Sequence, residues 1–356
     1  MRGRPRATAA ARSDVRVTAI VVMWNSERYV QGCLVALLAQ EHPLDLIVVD
    51  NASHDASIAI ATAIAARHPG RMRVIRSAVN SGFSGGVNLG IDAAPSADAV
   101  LLCNPDVRLD PDHVALLVAA LEADPGIGSV QGTLWRPSRS GLPDVIDSTG
   151  HRAFRTRLFD NRDEGRTVPS AGGEVFGVTG AAALHRRAML DDIAIPRPDG
   201  TLEWLDETLF AYYDDVDVDW RARLRGWRAV HVPTAAGRHV RSGAAAGRSA
   251  FVEELNAANR LLLIAKLDDR RGLAAAAPGV LLATVLKLIW LGVTTPAVIG
   301  RVVRRVRVGW APTRRRRALV LARATTKPAT VVAGFERFDW RSWVARWWSR
   351  ARGHAT

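Results

Sequence analysis

Apolar runs typical of buried strands alternate with helical patterns over the first 130 residues. Runs of strand length occur at residues 15–23, 46–50, 73–75, 99–103 and 127–131. The stretches between them carry apolar residues at helical spacing, as at Val30, Leu34 and Leu37. Strands that alternate with helices at this spacing require parallel, right-handed crossovers. The sequence therefore predicts an α/β fold built on a mainly parallel, doubly wound sheet.

Polar side chains follow the predicted strands at the points where the strands end. They are Trp24, Asn25, Asp50, Asn51, Asn80, Asn104 and Asp106. In open α/β sheets, ligands bind outside the carboxyl ends of the strands, so we expect these side chains to share one binding edge. Asn104–Pro105–Asp106 is also typical of an ordinary turn, and taken alone it does not decide between a turn and a site.

A glycine-rich segment at residues 80–90 follows the third predicted strand and leads into a predicted helix. It lacks the G-x-G-x-x-G pattern of dinucleotide-binding folds and the Gly-Lys-Ser/Thr of a P-loop. The segment therefore supports neither hydride transfer nor P-loop hydrolysis.

Residues 202–220 contain the densest acidic and aromatic cluster of the chain. Asp217 and Asp219 each have an arginine four residues later, a spacing typical of surface ion pairs. Asp214 and Asp215 have no such partner, which makes them the better candidates for a general base. The alternative is a solvated helix N-terminus, where Asp is favoured in any case. His239 is a further candidate, although a lone histidine is more often structural.

The ordered set of these motifs closely resembles family 2 glycosyltransferases of the GT-A fold, and within them the rhamnosyltransferase-like subgroup. The resemblance covers about residues 15–265 and rests on seven segments in a fixed order. They are residues 21–25, 48–53, 80–88, 102–106, 180–184, 213–217 and His239.

The resemblance implies roles for individual residues. Asp215, preceded by Asp214, would be the catalytic base, and Asp106 with His239 would hold Mg²⁺ or Mn²⁺. The nucleotide-sugar-binding set would be Trp24, Asn25, Asp50, Asn51, Asn80, Gly82, Phe83, Gly86, Asn88 and Asn104. Two positions depart from the family pattern: Asn104 replaces the first acid of its D-x-D element, and Asp214 stands where a glutamate is usual.

The implied activity is an inverting, single-displacement transfer of a sugar from a nucleotide diphosphate sugar. Rhamnose from dTDP-rhamnose is the favoured donor, and the acceptor would be a cell-envelope glycan or a polyprenyl-linked one. Two other functions are open at this stage, a non-catalytic nucleotide-sugar or glycan-binding module and a nucleic-acid binder that acts through its basic tail.

The net charge of +13 lies entirely in residues 301–356, which hold 15 Lys and Arg against two acids.

The two cysteines, Cys33 and Cys103, lie in apolar patterns, which predicts buried thiols in place of a disulfide. Residues 1–13 lack the apolar region of a signal peptide and are predicted to form a disordered leader.

The predicted domain is residues 14–268, divided into a nucleotide-sugar half (14–132) and an acceptor and base half (133–268). Residues 269–356 are predicted to be a basic, amphipathic membrane-association region.

The apolar stretch at residues 274–300 is interrupted by Lys287, Pro278 and Pro296, so we favour an interfacial or buried helix over a span. Aromatic residues alternate with arginines at residues 335–348, a composition suited to an anionic bilayer. These features predict a cytoplasmic protein bound peripherally to the inner face of the cell membrane, and they favour membrane over nucleic acid as the partner.

Overall fold

The structure is a computed structural model that describes residues 13–137, 143–241 and 250–340. The strands in this part of the chain are β1 (Val17–Met23), β2 (Leu44–Asp50), β3 (Met72–Arg76), β4 (Ala99–Cys103), β5 (Val107–Leu109), β6 (Ile127–Arg136), β7 (Val145–Ser148), β8 (His151–Ala153), β9 (Phe159–Asn161), β10 (Gly173–Val175), β11 (Ala182–Arg186), β12 (Ile195–Pro196), β13 (Leu202–Glu203) and β14 (Arg228–His239). The helices there are α1 (Val30–Leu38), α2 (Ser57–Ala65), α3 (Gly82–Asp92), α4 (His113–Glu122), α5 (Arg187–Ile193), α6 (Asp214–Leu224), α7 (Ala250–Leu267), α8 (Arg270–Thr294), α9 (Ala297–Ala322) and α10 (Pro328–Ala333).

Ten of the strands form one central sheet with the order β10-β14-β6-β11-β4-β1-β2-β3, while β5 pairs with β14 and β7 with β6. The four strands β3, β2, β1 and β4 are parallel neighbours, as the alternating pattern predicts. The reversed strand β11 lies between β4 and β6, antiparallel to both. The predicted α/β fold with a mainly parallel sheet is therefore confirmed, although the fifth predicted strand does not neighbour the fourth.

Side chains of β1 alternate between two hydrophobic layers because successive residues of a strand point to opposite faces. Val21 packs with helices α1, α2 and α4, whereas Ile20 packs with α3, α5 and α6. Cys33 and Cys103 are buried, free thiols with their sulfur atoms 3.9 Å apart, which confirms the prediction made from their apolar surroundings.

The glycine-rich segment is helical from Gly82 onward, so it does not precede the predicted helix but forms most of it, α3. An added Cβ at Gly86 would lie 2.5 Å from a methyl carbon of Val22, and one at Gly90 equally close to Ile20. The glycines therefore let α3 pack directly on β1. Close packing, and not phosphate binding, explains why this segment is rich in glycine.

The C-terminal helices pack on the sheet domain. Phe335, which follows α10, is buried against Trp220 and Phe176, with ring centroids 5.2 and 5.4 Å apart, respectively. The first aromatic residue of the segment predicted to suit a bilayer therefore completes a protein core instead. The remaining part of the predicted aromatic segment, from Arg341 onward, lies outside the described residues, as does the predicted leader up to Arg12.

Helix α8 runs without a break through Pro278 and Lys287, contrary to the expected interruptions, and Thr295 and Pro296 separate it from α9. Within the described residues, α8 is the one helix long and apolar enough to cross a membrane, judged by length and composition.

Candidate functional site

The carboxyl ends of β1 and β2 form one side of a shared edge of the sheet. Asn25, the second residue after β1, accepts a hydrogen bond from the His54 backbone N–H at 2.8 Å, and its own N–H donates to Ser53 Oγ. Asp50, at the end of β2, accepts a hydrogen bond from the Ser53 N–H at 3.2 Å. Trp24 lies beside this turn and is 53% exposed, which leaves its indole ring available to a ligand.

The start of α3 is held at the same edge by side chains after β2 and β3. Asn51 donates to the Gly82 carbonyl oxygen at 2.7 Å and accepts from the Ser81 N–H at 3.2 Å. Asn80 Oδ1 accepts from the Gly82 N–H at 2.9 Å. Gly82 has φ +75°, and an added Cβ would lie 2.2 Å from the Phe210 carbonyl oxygen. Asn51 and Gly82 therefore shape the edge, while the half-buried Phe83 follows them in the first turn.

The structure contradicts the donor-binding role predicted for Asn88. Its amide donates to the Leu205 carbonyl and to Glu207, and its carbonyl oxygen accepts from the N–H groups of Trp204 and Leu205. The side chain is buried and its hydrogen-bonding capacity is filled, so it ties α3 to the segment before α6. The buried Gly86 has the packing role given above, and its predicted part in donor binding stays a prediction.

The end of β4 brings Asp106 together with His239, 133 residues later in the chain. Asn104, which is half-buried, begins the turn, and the antiparallel pairing of β5 with β14 sets His239 opposite Val107. His239 Nε2 lies 3.3 Å from Asp106 Oδ1, and its Nδ1 lies 2.8 Å from Asp147 Oδ2. Burial alone would lower the pKa of His239, but the hydrogen bonds to Asp106 and Asp147 outweigh it and raise the pKa to about 9.

Asp106 and His239 suit a cation that takes most of its ligands from water and substrate phosphates and few from the protein. Asp147 accepts from Nδ1 and orients the imidazole, so Nε2, which faces Asp106, can bind a cation that displaces its proton. Across residues 13–137, 143–241 and 250–340, no group of three or more His, Cys, Asp or Glu side chains forms a cage for a metal. Mg²⁺ in such sites keeps several waters and is bound by one or two carboxylates plus substrate phosphates. The residues present therefore fit a cation shared with a diphosphate.

Asp215 lies at the start of α6 in a chain of three polar side chains. Its Oδ2 accepts the Gly180 N–H at 3.1 Å and lies 3.5 Å from His151 Nε2. His151 Nδ1 in turn lies 2.7 Å from Asp219 Oδ2. Burial opposes the charge on His151, but Asp215 and Asp219 outweigh it and raise the pKa of the imidazole to about 9. Asp215 is thus held by a buried imidazolium and a backbone amide, while 26% of its side chain is exposed.

Asp214 differs from its neighbour in burial. It is 4% exposed, and burial together with the charge of Asp215 raises its pKa well above the usual range. A buried carboxyl group that favours its protonated form cannot accept a proton from a substrate. The structure therefore favours Asp215 over Asp214 as the candidate base.

The surface ion pairs predicted on α6 are wrong. Asp217 and Arg221 do pair, at 2.9 Å, but both side chains are almost completely buried. Asp219 is bound to His151, and Arg223 instead pairs with Glu174. The i to i+4 spacing alone does not distinguish a surface pair from a buried one, because the sequence does not show that this acidic helix is covered on several sides.

Three non-glycine residues just before α6 have a left-handed backbone: Phe210, Tyr212 and Tyr213, with φ near +65°. Such a run is costly and persists only where its surroundings enforce it. Asn259 of α7 supplies that support, because its fully buried amide donates to the carbonyl oxygens of Leu209, Ala211 and Tyr212 at 2.8–2.9 Å. Helix α7 thus fixes the turn from which Asp215 projects.

Three contributors to the site were missed from the sequence: Asp147, His151 and Asn259. Each acts on a predicted residue, through His239, Asp215 and the turn before α6, respectively. Asp147 and His151 lie in a segment with weak strand and helix patterns, where no spacing marked them. Asn259 lies at helical spacing from the apolar Leu255, Leu262 and Leu263 of α7, and a polar residue at that spacing is the one available signal.

The comparisons with known proteins agree with this architecture. Residues 18–193 match the sequence model of Glycosyl transferase family 2. No curated protein matches the sequence closely enough to count as a relative. Among solved structures, GalNAc-T7 with UDP, GalNAc and Mn²⁺ is similar, with a TM-score of 0.56 and 11% identity over 72% of this chain and 48% of that one. This chain thus spans about half the length of GalNAc-T7.

S. aureus TarS 1-349 is similar with a TM-score of 0.51 and 16% identity, over 91% of this chain and 94% of that one. At these identities the two structures are informative about the fold alone. The family match covers β1 to α5, including the turns after β1, β2 and β4 that form the candidate site. Residues 18–193 thus form a domain of Glycosyl transferase family 2, and the solved structures that resemble the chain share its fold, as the resemblance to the GT-A fold predicts.

Proposed function

We propose that the protein is an inverting glycosyltransferase that moves rhamnose from dTDP-rhamnose to a cell-envelope glycan or a polyprenyl-linked acceptor. The observation that carries the inverting mechanism is Asp215, a partly exposed carboxylate held by His151 and the Gly180 N–H on the acceptor side of the site. One base and no covalent nucleophile imply a single displacement.

Asp215 would take the proton of the acceptor hydroxyl as its oxygen attacks the anomeric carbon of the sugar. A new carbon–oxygen bond forms there while the bond from that carbon to the diphosphate breaks, and the electron pair leaves with the nucleoside diphosphate. The Gly180 N–H and His151 hold the carboxylate in place during the transfer.

Asp106 and His239 are the residues that would hold Mg²⁺ or Mn²⁺, which neutralises the charge that grows on the leaving diphosphate. The turn at Trp24 and Asn25 and the carboxylate of Asp50 would form the nucleoside side of the cleft. Asn80, Phe83 and Asn104 would line it between nucleoside and phosphates.

The proposal includes a place of action, the cytoplasmic face of the cell membrane, reached through the C-terminal helices. A polyprenyl-linked acceptor is confined to a bilayer, so an enzyme that uses it gains from binding the same surface. Part of the basic charge of this region is used inside the protein: Arg316 pairs with Glu203, and Arg317 donates to carbonyl oxygens at the end of α7. These contacts argue against a free, basic tail that wraps nucleic acid.

Product analysis tests the donor and the stereochemistry together. The enzyme is incubated with dTDP-rhamnose, UDP-GalNAc or GDP-mannose in the presence of Mn²⁺ and a polyprenyl-diphosphate glycan. We expect release of dTDP and a rhamnoside whose anomeric configuration is inverted relative to the donor, as read by NMR. Retained configuration would contradict the single displacement, and transfer from another donor only would contradict the choice of rhamnose.

A further inference from the structure

Helix α8 presents an apolar stripe to solvent. Its members recur at helical spacing along one face: Leu281, Leu282, Val285, Leu288, Ile289 and Val293, with exposures from 36% to 79%. Soluble proteins seldom expose a contiguous apolar surface of this kind without a partner for it.

Lys287 lies within this stretch of sequence but outside the stripe. Its ammonium group pairs with Glu253 of α7, so it faces the protein. The opposite side of α8 also faces inward, where Leu291 is fully buried with Val298 and Ala258. One face of α8 is therefore committed to the protein, and the exposed face carries no charged side chain between residues 272 and 294.

The neighbouring helix α9 divides its arginines between two directions. Arg305 and Arg316 contact Glu254 and Glu203, respectively, on the protein side. Arg304 and Arg307 are exposed, and α9 also exposes Val303, Val308 and Trp310, with exposures of 53%, 73% and 47%. Cationic and apolar side chains thus lie together on the exposed side of α9.

We infer that the exposed faces of α8 and α9 form one bilayer-docking surface, with the stripe of α8 inserted at the headgroup boundary and Arg304 and Arg307 on anionic lipid headgroups. Apolar side chains in the interface and arginines on the headgroups are the two contributions that bind a helix to an anionic bilayer. The charge complementarity selects a lipid surface as the occupant over a second copy of this basic chain, whose own arginines would be repelled.

The surface is connected to the candidate site through the protein side of the same helices. Arg305 and Arg316 of α9, together with Asn259 of α7, contact residues 203–212, the segment that leads to Asp215. Docking would therefore place the acceptor side of the site next to the bilayer. The inference rests on the proposed function in this respect, since it gives a lipid-linked acceptor a direct route to Asp215.

Vesicle flotation of the full chain tests the surface. The wild-type protein is expected to float with phosphatidylcholine vesicles that contain phosphatidylglycerol, and less with pure phosphatidylcholine or at high salt. The double variant Leu281→Glu/Ile289→Glu and the double variant Arg304→Glu/Arg307→Glu should each bind the anionic vesicles at least tenfold more weakly. Val168→Glu, at a remote apolar residue that is 65% exposed, is the matched control and should bind as the wild type does.

Circular dichroism and the thermal midpoint show whether each variant is folded. The inference is overturned if the wild type does not float, or if folded α8 and α9 variants float as well as the wild type. It is also overturned if the α8 variant instead loses an oligomer that sedimentation detects without lipid. Transfer to a water-soluble acceptor is measured in parallel and should be unchanged in the docking variants, so absence of transfer in the wild type counts against the proposed function alone.

Discussion

Asp215→Asn is expected to lower the rate constant of sugar transfer by about 10²- to 10⁴-fold, the range that a general base contributes. The amide cannot accept the proton of the acceptor hydroxyl, whereas the shape of the side chain and its place beside His151 are retained. Donor binding should stay close to that of the wild type, because the proposed base acts on the acceptor hydroxyl and not on the donor. Single-turnover kinetics together with a donor-binding titration measure the two effects separately.

Asp214→Asn is the matched control for this prediction. The adjacent carboxyl is buried and its pKa is raised, so an uncharged amide resembles the state that the folded protein already favours. We expect this variant to keep most of its transfer activity. Equal losses in both variants would remove the distinction between the two carboxylates, and undiminished turnover of Asp215→Asn would refute its role as base.

Lys266→Met is expected to lower the free energy of unfolding by about 3–5 kcal/mol, the cost of leaving buried charges without their partner. The Lys266 ammonium lies between Asp206 and Asp217, and all three side chains are at most 1% exposed. Arg316 of α9 joins the same cluster at 3.2 Å from Asp206, so the ion network connects the C-terminal helices to the helix that carries Asp215. Urea denaturation followed by circular dichroism measures the change.

Arg16→Met provides the comparison for the buried network. It breaks the Arg16–Asp98 pair, whose side chains are 65% and 45% exposed, and should cost no more than about 1 kcal/mol. The pairing with Lys266 holds the pKa of Asp206 below its usual value, so in the wild type this contribution is present near neutral pH and is lost in acid. Lowering the pH should therefore reduce the difference in free energy of unfolding between wild type and Lys266→Met. Protonation of Asp206 and Asp217 in the variant removes the charges that the substitution leaves unpaired. A constant gap, or a loss no larger than that of Arg16→Met, would contradict this account of the network.

The sheet and its binding edge were predictable because local pattern determines both. A continuous apolar run such as Ala99–Cys103 can be buried on two faces only as a central strand, and parallel strands bring their carboxyl ends together. The same reasoning placed Asp50 and Asp106 at one edge. Local pattern could not reveal β11, because a reversed strand at residues 182–186 reads like a parallel one until its neighbours are known.

The contacts of the candidate site that could not be predicted from the sequence join residues far apart in the chain. His151 reaches Asp219 across 68 residues, and Asn259 reaches the Tyr212 carbonyl across 47. Neither contact leaves a periodic signature in the chain. Lys287 is a further case in which the sequence does not show the partner of a residue. In the sequence it interrupts an apolar helix, whereas in the fold it pairs with Glu253 and leaves the outer face of α8 uncharged.

Thermal stability in the presence of nucleotide sugars tests the central claim, the donor site at Asp106 and His239, most directly. A ligand that binds only the folded state stabilises it by about 2.7 kcal/mol at a concentration one hundredfold above its Kd. We predict that dTDP-rhamnose with Mn²⁺ or Mg²⁺ raises the melting temperature of the wild type, that omission of the metal reduces the shift, and that Asp106→Ala abolishes it in a folded protein. No shift with any nucleotide sugar, or an equal shift in Asp106→Ala, would contradict the account.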